Sequence, residues 1–189
     1  MRIVITFLAL VPLFVMGAIF LDGWEMAWFE SFREGIETTF GIRFPVPENR
    51  LYYLSGFSGL SAVWVLIAAF WVNPLRTYLR FDLVEFKKLL GAFAVGYGLL
   101  HLLLFLAAHR FDIATLGRLF GTHLFLAAGL GALLVMAIAP HVKAWYKLLY
   151  VGVVLVIVHL LLGYRTLAPE HIWMISLLSL GLALRLIKR

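Results

Sequence analysis

Two of the six histidines, His101 and His159, fall deep inside long apolar runs. An ionisable side chain in hydrocarbon is costly and reads first as functional. His101 lies 13 residues beyond Lys88 (101 less 88) and His159 lies 12 beyond Lys147 (159 less 147). At about 1.5 Å per residue both therefore sit about 18–20 Å from the same boundary. Two level imidazoles on two helices can hold one metal ion between them. Zinc fits poorly, because two His leave its four-ligand set incomplete. Tyr97 and Gly98 lie one turn before His101, Ala94 and Ala108 share its face, and Gly152 and Gly163 share the face of His159. Such small steps let a helix approach a flat macrocycle such as haem, or simply another helix. From spacing alone three readings stay open: a bis-His haem, a hydrogen-bonded packing pair, and a proton or ion pathway.

The elements that must position these residues follow from composition. The chain has 189 residues, of which 63% are apolar and only 14% charged. Ordinary soluble domains hold about 45–50% apolar residues even with Gly counted, and about 25% charged. A soluble globule of this length has no room to hide such a surface, so an integral membrane protein is expected. The absence of cysteine removes disulfides, iron–sulfur clusters and thiol chemistry together. Serine-hydrolase, phosphate-loop and dinucleotide fingerprints are missing too, and the Gly129/Gly131 pair reads as helix-packing glycine.

Apolar stretches of about 20 residues predict six spans, near 3–22, 52–73, 89–108, 119–139, 148–164 and 172–187. The first follows Arg2, is longer than a signal-peptide core and lacks a small-x-small cleavage site, which predicts a retained helix. The expected class is all-α: a polytopic membrane bundle forming one domain over 1–189, with both termini cytoplasmic. No internal repeat stands out.

Charge supports that orientation. The segments placed inside hold ten basic residues (Arg2, Arg76, Arg80, Lys87, Lys88, Lys143, Lys147, Arg185, Lys188, Arg189) against Asp82 and Glu85, a net of +8. Those placed outside hold six basic and eight acidic residues, a net of −2. The net +6 thus reports the positive-inside rule rather than a nucleic-acid partner. The outer segment 23–50 carries a capping-box pattern at Asp22 and Glu25. Trp24, Trp28, Phe32, Ile36 and Phe40 then recur every four residues, which predicts a helix in the outer interface, an anchor or a docking surface. Arg76–Lys88 reads as a shorter interfacial turn inside.

One stretch carries a family likeness. Lys87-Lys88-Leu89-Leu90-Gly91, followed by Tyr97 and His101, resembles the third helix of ferric-reductase-like transmembrane domains. More narrowly it is similar to the MsrQ (YedZ) type, haem-binding membrane subunits of bacterial periplasmic methionine sulfoxide reductase systems. Ser55-Gly56, Pro74-Leu75-Arg76 and Tyr150 nine residues before His159 extend the likeness over residues 50–187. The chain departs where that family has a further inner His, which here is Tyr146, with Lys88 at the comparable level of the third span. The resemblance therefore implies a single haem b with His101 and His159 as axial ligands, Tyr97, Gly98, Gly152 and Gly163 beside it, and Arg118 and His123 toward its propionates. His109, Arg110 and Arg165 lie at the same level.

Two axial imidazoles favour electron transfer over oxygen binding. The resemblance implies a bacterial inner-membrane cytochrome taking electrons from quinol, or from an inner flavin reductase, to a periplasmic molybdopterin reductase. A quinone would then be a second small-molecule partner, with His123 or His109 titrating in a suitable range for its protons. The competing expectations are a haem-free transporter or channel and a structural subunit of a larger complex.

Overall fold

The computed structural model describes residues 2–22, 27–41, 47–142, 145, 147–164 and 166–187. Trp24, Glu25, Arg43, Lys143, Tyr146, Arg165, Lys188 and Arg189 lie outside the described residues, as does half of the capping-box pattern. Among those described the chain is helical, with no strand: α1 (Arg2–Asp22), α2 (Ala27–Phe40), α3 (Arg50–Leu79), α4 (Lys87–Ala108), α5 (Ile113–Thr122), α6 (Leu124–Ile138), α7 (Leu148–Gly163) and α8 (Pro169–Ile187). Five of these, α1, α3, α4, α6 with its 3₁₀ extension, and α8, are long and apolar enough to cross a membrane. The chain is a multi-pass membrane protein. At 16 residues, or about 24 Å, α7 is shorter than those five.

Lipid acts as the outer solvent, so apolar side chains face outward as well as inward. Phe7, Phe14, Leu103, Leu134 and Leu162 are all exposed on the perimeter. Inside, small residues let the helices close up. Ser55, Ser58 and Ser61 line one buried face of α3, each hydroxyl satisfied by a backbone carbonyl. The two tightest pairings are the hairpins α3–α4 and α6–α7. One core joins Val63, Ile67 and Phe70 of α3 to Val153 and Leu160 of α7 and Met174 and Leu178 of α8. A second joins Met16 and Ile19 of α1 to Leu54 and Tyr97.

Two boundaries differ from the sequence expectation. The first helix of the α3–α4 hairpin runs past Pro74 through Arg76 to Leu79, because Arg80 caps it in the left-handed conformation and donates its N–H to Leu75 O. The turn between α3 and α4 is thereby reduced to Phe81–Leu83 and the 3₁₀ segment Val84–Phe86, with Phe86 buried as its anchor. The fourth span does not begin at residue 119. His123 is extended (φ −122°, ψ 96°) and divides α5 from α6.

Asp112 starts α5 as its N-cap. Its carboxylate accepts the Thr115 hydroxyl at 2.6 Å and the Ala114 N–H at 3.0 Å, and these bonds hold the carboxyl below its ordinary pKa. A carboxyl whose pKa falls on folding stabilises above the unfolded-chain value and loses that contribution as pH drops through the lower folded value. Acidification below the ordinary carboxylate range should therefore fray the first turn of α5, seen as a shift of the Ala114 amide signal by NMR. Asp112→Asn should abolish the pH response while keeping the cap, since Asn caps about as well. An Ala114 signal that still moves with pH in that variant would contradict the assignment.

Candidate functional site: a paired-histidine cavity

Each histidine ring is held by the helix that precedes its own in a hairpin. His101 Nδ1 is 2.7 Å from Ser55 O, and His159 Nδ1 is 2.7 Å from Phe125 O. A carbonyl oxygen has no proton to give, so Nδ1 is the donor in both rings. In neutral imidazole this leaves the lone pair on Nε2. A backbone carbonyl on the far nitrogen is the usual support of a metal-binding histidine, since it fixes tautomer and ring rotation. Ser55 adds a hydroxyl that donates to His101 O at 3.2 Å.

The two rings line one cavity, their centres 6.3 Å apart and their planes at 78°. A metal–imidazole bond is about 2.0–2.1 Å and a ring centre lies roughly 1.1 Å behind its nitrogen, so two rings facing one ion have centres about 6–6.5 Å apart. The observed separation falls in that window. No third His, Asp or Glu joins the pair among the described residues, so a bare ion would have only two protein ligands. A metal already ligated in a plane, with two axial positions open, matches the donor set. No direct hydrogen bond joins the rings to each other among the described residues.

The cavity walls carry a repeat. Those of α3 include Gly59, Leu60, Ala62, Val63 and Leu66; those of α6 include Gly129, Leu130, Ala132, Leu133 and Met136. Every pair is offset by the same 70 positions (129 less 59, 136 less 66). From α4 and α7 come Gly98 and Val156, His101 and His159, Leu102 and Leu160, all offset by 58 (159 less 101). Ser55 lies near the start of α3 and Phe125 at the start of α6, while His101 and His159 lie toward the ends of α4 and α7. Both hairpins thus present the same positions at the same end of the bundle, the arrangement of a parallel repeat about an axis along the membrane normal.

The other sequence candidates divide. Gly98 lines the cavity and sits against Leu133. Tyr97 does not line it: the ring is buried on the α1 side and its hydroxyl donates to Ala9 O at 2.6 Å. Gly152 is a packing contact of α7 with Val135 and Met136 of α6, and Gly163 lies against Phe125. Arg118 is exposed on α5 with a 3.4 Å contact to Thr115 Oγ1, and does not line the cavity. His123 is exposed, 5.6 Å from the Phe125 ring, which is itself 5.7 Å from His159. His109 donates from Nδ1 to Phe105 O at 2.8 Å, its ring 4.4 Å from the Phe105 ring.

Sequence reading passed over Gly59, Phe125, Phe120 of α5 and Tyr164, all on or beside the cavity, and took Gly129 as packing alone. It also passed over His171, which is buried against the Tyr164 ring (centres 3.8 Å apart) with neither ring nitrogen bonded among the described residues. An unbonded buried polar group costs about 1–3 kcal/mol. His171→Phe should therefore leave the fold intact and stabilise the detergent-solubilised chain by about 1–2 kcal/mol, read as a raised thermal midpoint. A loss of stability would reveal a bonded ring nitrogen.

No protein-family profile, no curated protein and no solved structure matches the chain.

Proposed function

We propose that the chain is a membrane b-type cytochrome subunit in which His101 and His159 hold one haem b and pass single electrons from quinol to an acceptor outside. The observation that carries this reading is the pair of imidazoles with ring centres 6.3 Å apart, each tied through Nδ1 to a backbone carbonyl. When bound, haem would supply a one-electron couple whose two axial positions are filled, which suits transfer rather than oxygen chemistry.

The chain's own residues supply the rest. The carbonyls of Ser55 and Phe125 keep both Nε2 lone pairs available. Leu60, Leu130, Ala62 and Ala132 give the space between the hairpins an apolar lining. A low-dielectric wall raises the cost of charge at the site and so tunes its potential. The orientation read from charge puts this end of the bundle outside, and on it His123 is exposed, with an imidazole nitrogen to offer a quinol hydroxyl. By resemblance the acceptor is a periplasmic reductase of the molybdopterin type and the host membrane is the bacterial inner membrane; by hydropathy and charge it is crossed by six helices with both termini inside.

Purification from haem-replete cells, followed by alkaline pyridine extraction and protein quantitation, tests this directly. One b-type haem per chain is expected. A folded, colourless protein would overturn the cytochrome reading in favour of a transporter or structural subunit.

A further inference from the structure

The two histidine rings are seated in the same way on two different helices, and the seat has a common recipe. On α3 the carbonyl that takes the Nδ1 proton belongs to Ser55, and four residues on stands Gly59. On α6 the carbonyl belongs to Phe125, and four residues on stands Gly129. In an α-helix the carbonyl of residue i already accepts the N–H of residue i+4, and its second lone pair is reached only from the side. Side chains lean toward the helix N-terminus, so the Cβ of residue i+4 shields that side of carbonyl i. A glycine at i+4 uncovers it. The imidazole then lies in the gap where a side chain would begin.

Distances bear this out at both sites. A Cβ placed on Gly59 would come 2.9 Å from His101 Nδ1 and 3.1 Å from its Cε1. One placed on Gly129 would come 2.6 Å from His159 Nδ1 and 2.8 Å from its Cε1. Neither ring is free to retreat, because each is pinned by its 2.7 Å bond to the helix carrying the glycine. At Gly96, on the same helix as His101, a methyl finds room, with nothing within 4 Å of its Cβ position.

We propose that Gly59 and Gly129 are positioning residues, forming with the Ser55 and Phe125 carbonyls a duplicated seat that sets tautomer and rotation of His101 and His159. The role rests on the haem reading, but the seat itself is a property of the chain and is testable without haem. Each glycine acts through one imidazole alone, so each substitution disturbs one ring and spares the other.

The test uses the full chain in lipid nanodiscs, labelled with ¹⁵N-histidine, with and without added haemin. In the wild type both rings should be in the Nδ1–H form. Gly59→Ala should displace only His101 from that form, Gly129→Ala only His159, and Gly96→Ala neither. Haemin affinity should fall 10–100-fold in either alanine variant, the range seen when the support of a metal-binding histidine is lost, and should stay within about twofold of wild type for Gly96→Ala. Unchanged tautomers in both variants overturn the seat, whatever the haem content. A wild type that takes up no haemin yet gives the tautomer response keeps the seat and removes the haem reading. If Gly59→Ala fails to fold, the Gly59→Ala/His101→Ala double variant should recover the helicity of His101→Ala, because the methyl then has no ring to strike. A double variant that stays unfolded overturns the proposal.

Discussion

Replacing His101 or His159 by alanine is expected to abolish the b-type signal in the reduced-minus-oxidised absorbance spectrum of the purified chain. Each substitution alone should suffice. The two rings hang from different hairpins, and removing one leaves its partner as the only histidine lining the site among the described residues. A metal bound in a macrocycle would then have a single axial protein ligand and an adjacent void. Residual haem in either variant should be high-spin, and binding weakened by at least tenfold. The folds should survive, because the lost bonds, Nδ1–H to Ser55 O or to Phe125 O, are each worth about 1 kcal/mol, against the many packing contacts of each hairpin. Imidazole added to His101→Gly or His159→Gly should restore the low-spin spectrum. Full retention of the native spectrum in both alanine variants would remove these two residues from the site.

A comparably large effect, on stability instead of spectrum, is expected from Phe70→Ala. Phe70 is the meeting point of α3, α7 and α8. Its ring lies edge-on to Tyr150 at 6.4 Å between centres and under the Arg185 guanidinium at 3.9 Å, and it fills the space that Gly181 leaves open. Its carbonyl accepts a hydrogen bond from Arg185, and the neighbouring Trp71 donates to Leu177 O at 3.0 Å. Truncating a buried Phe in a water-soluble core costs about 3–5 kcal/mol. In a membrane the unfolded helices stay in lipid, so the transfer part falls away while the packing and cavity parts remain. A loss of about 2–3 kcal/mol is therefore expected, with Arg185 left over an empty site. It should appear as an earlier transition in thermal or detergent-titrated circular dichroism, with haem retained at low temperature. A change under about 0.5 kcal/mol, the range of ordinary surface substitutions, would mean that α8 is not docked through this cluster.

Much of this arrangement was legible in the sequence, and the parts that were not have a common cause. Hydropathy locates α1, α3, α4, α6, α7 and α8 because burial in lipid demands long apolar runs. It runs the last residues of α5 into the fourth span, since Leu119 and Phe120 continue the apolar pattern and only the extended backbone of His123 separates the two helices. The level of His101 and His159 follows from counting along two helices from their basic ends. What holds the rings does not follow, because Ser55 and Gly59 are more than forty residues from His101 and nothing local marks their partner. Tyr97 misled for a similar reason. It lies beside the face of His101, but α1 packs on that flank and Ala9 takes its hydroxyl. The repeat escaped because its matches are scattered single positions and its offset changes from 70 between α3 and α6 to 58 between α4 and α7, so no one register aligns both helices.

That repeat sharpens the account, because two like hairpins meeting face to face make a slot whose walls match, each offering one imidazole at the same depth. The most direct test is electron paramagnetic resonance of the oxidised, purified chain at low temperature. A single low-spin ferric signal of a bis-imidazole centre, at one spin per chain and absent from His101→Ala and His159→Ala, is the predicted result. A high-spin ferric signal from the wild type, or no iron signal from a folded chain grown with ample haem, would contradict the pairing of His101 and His159 on one metal.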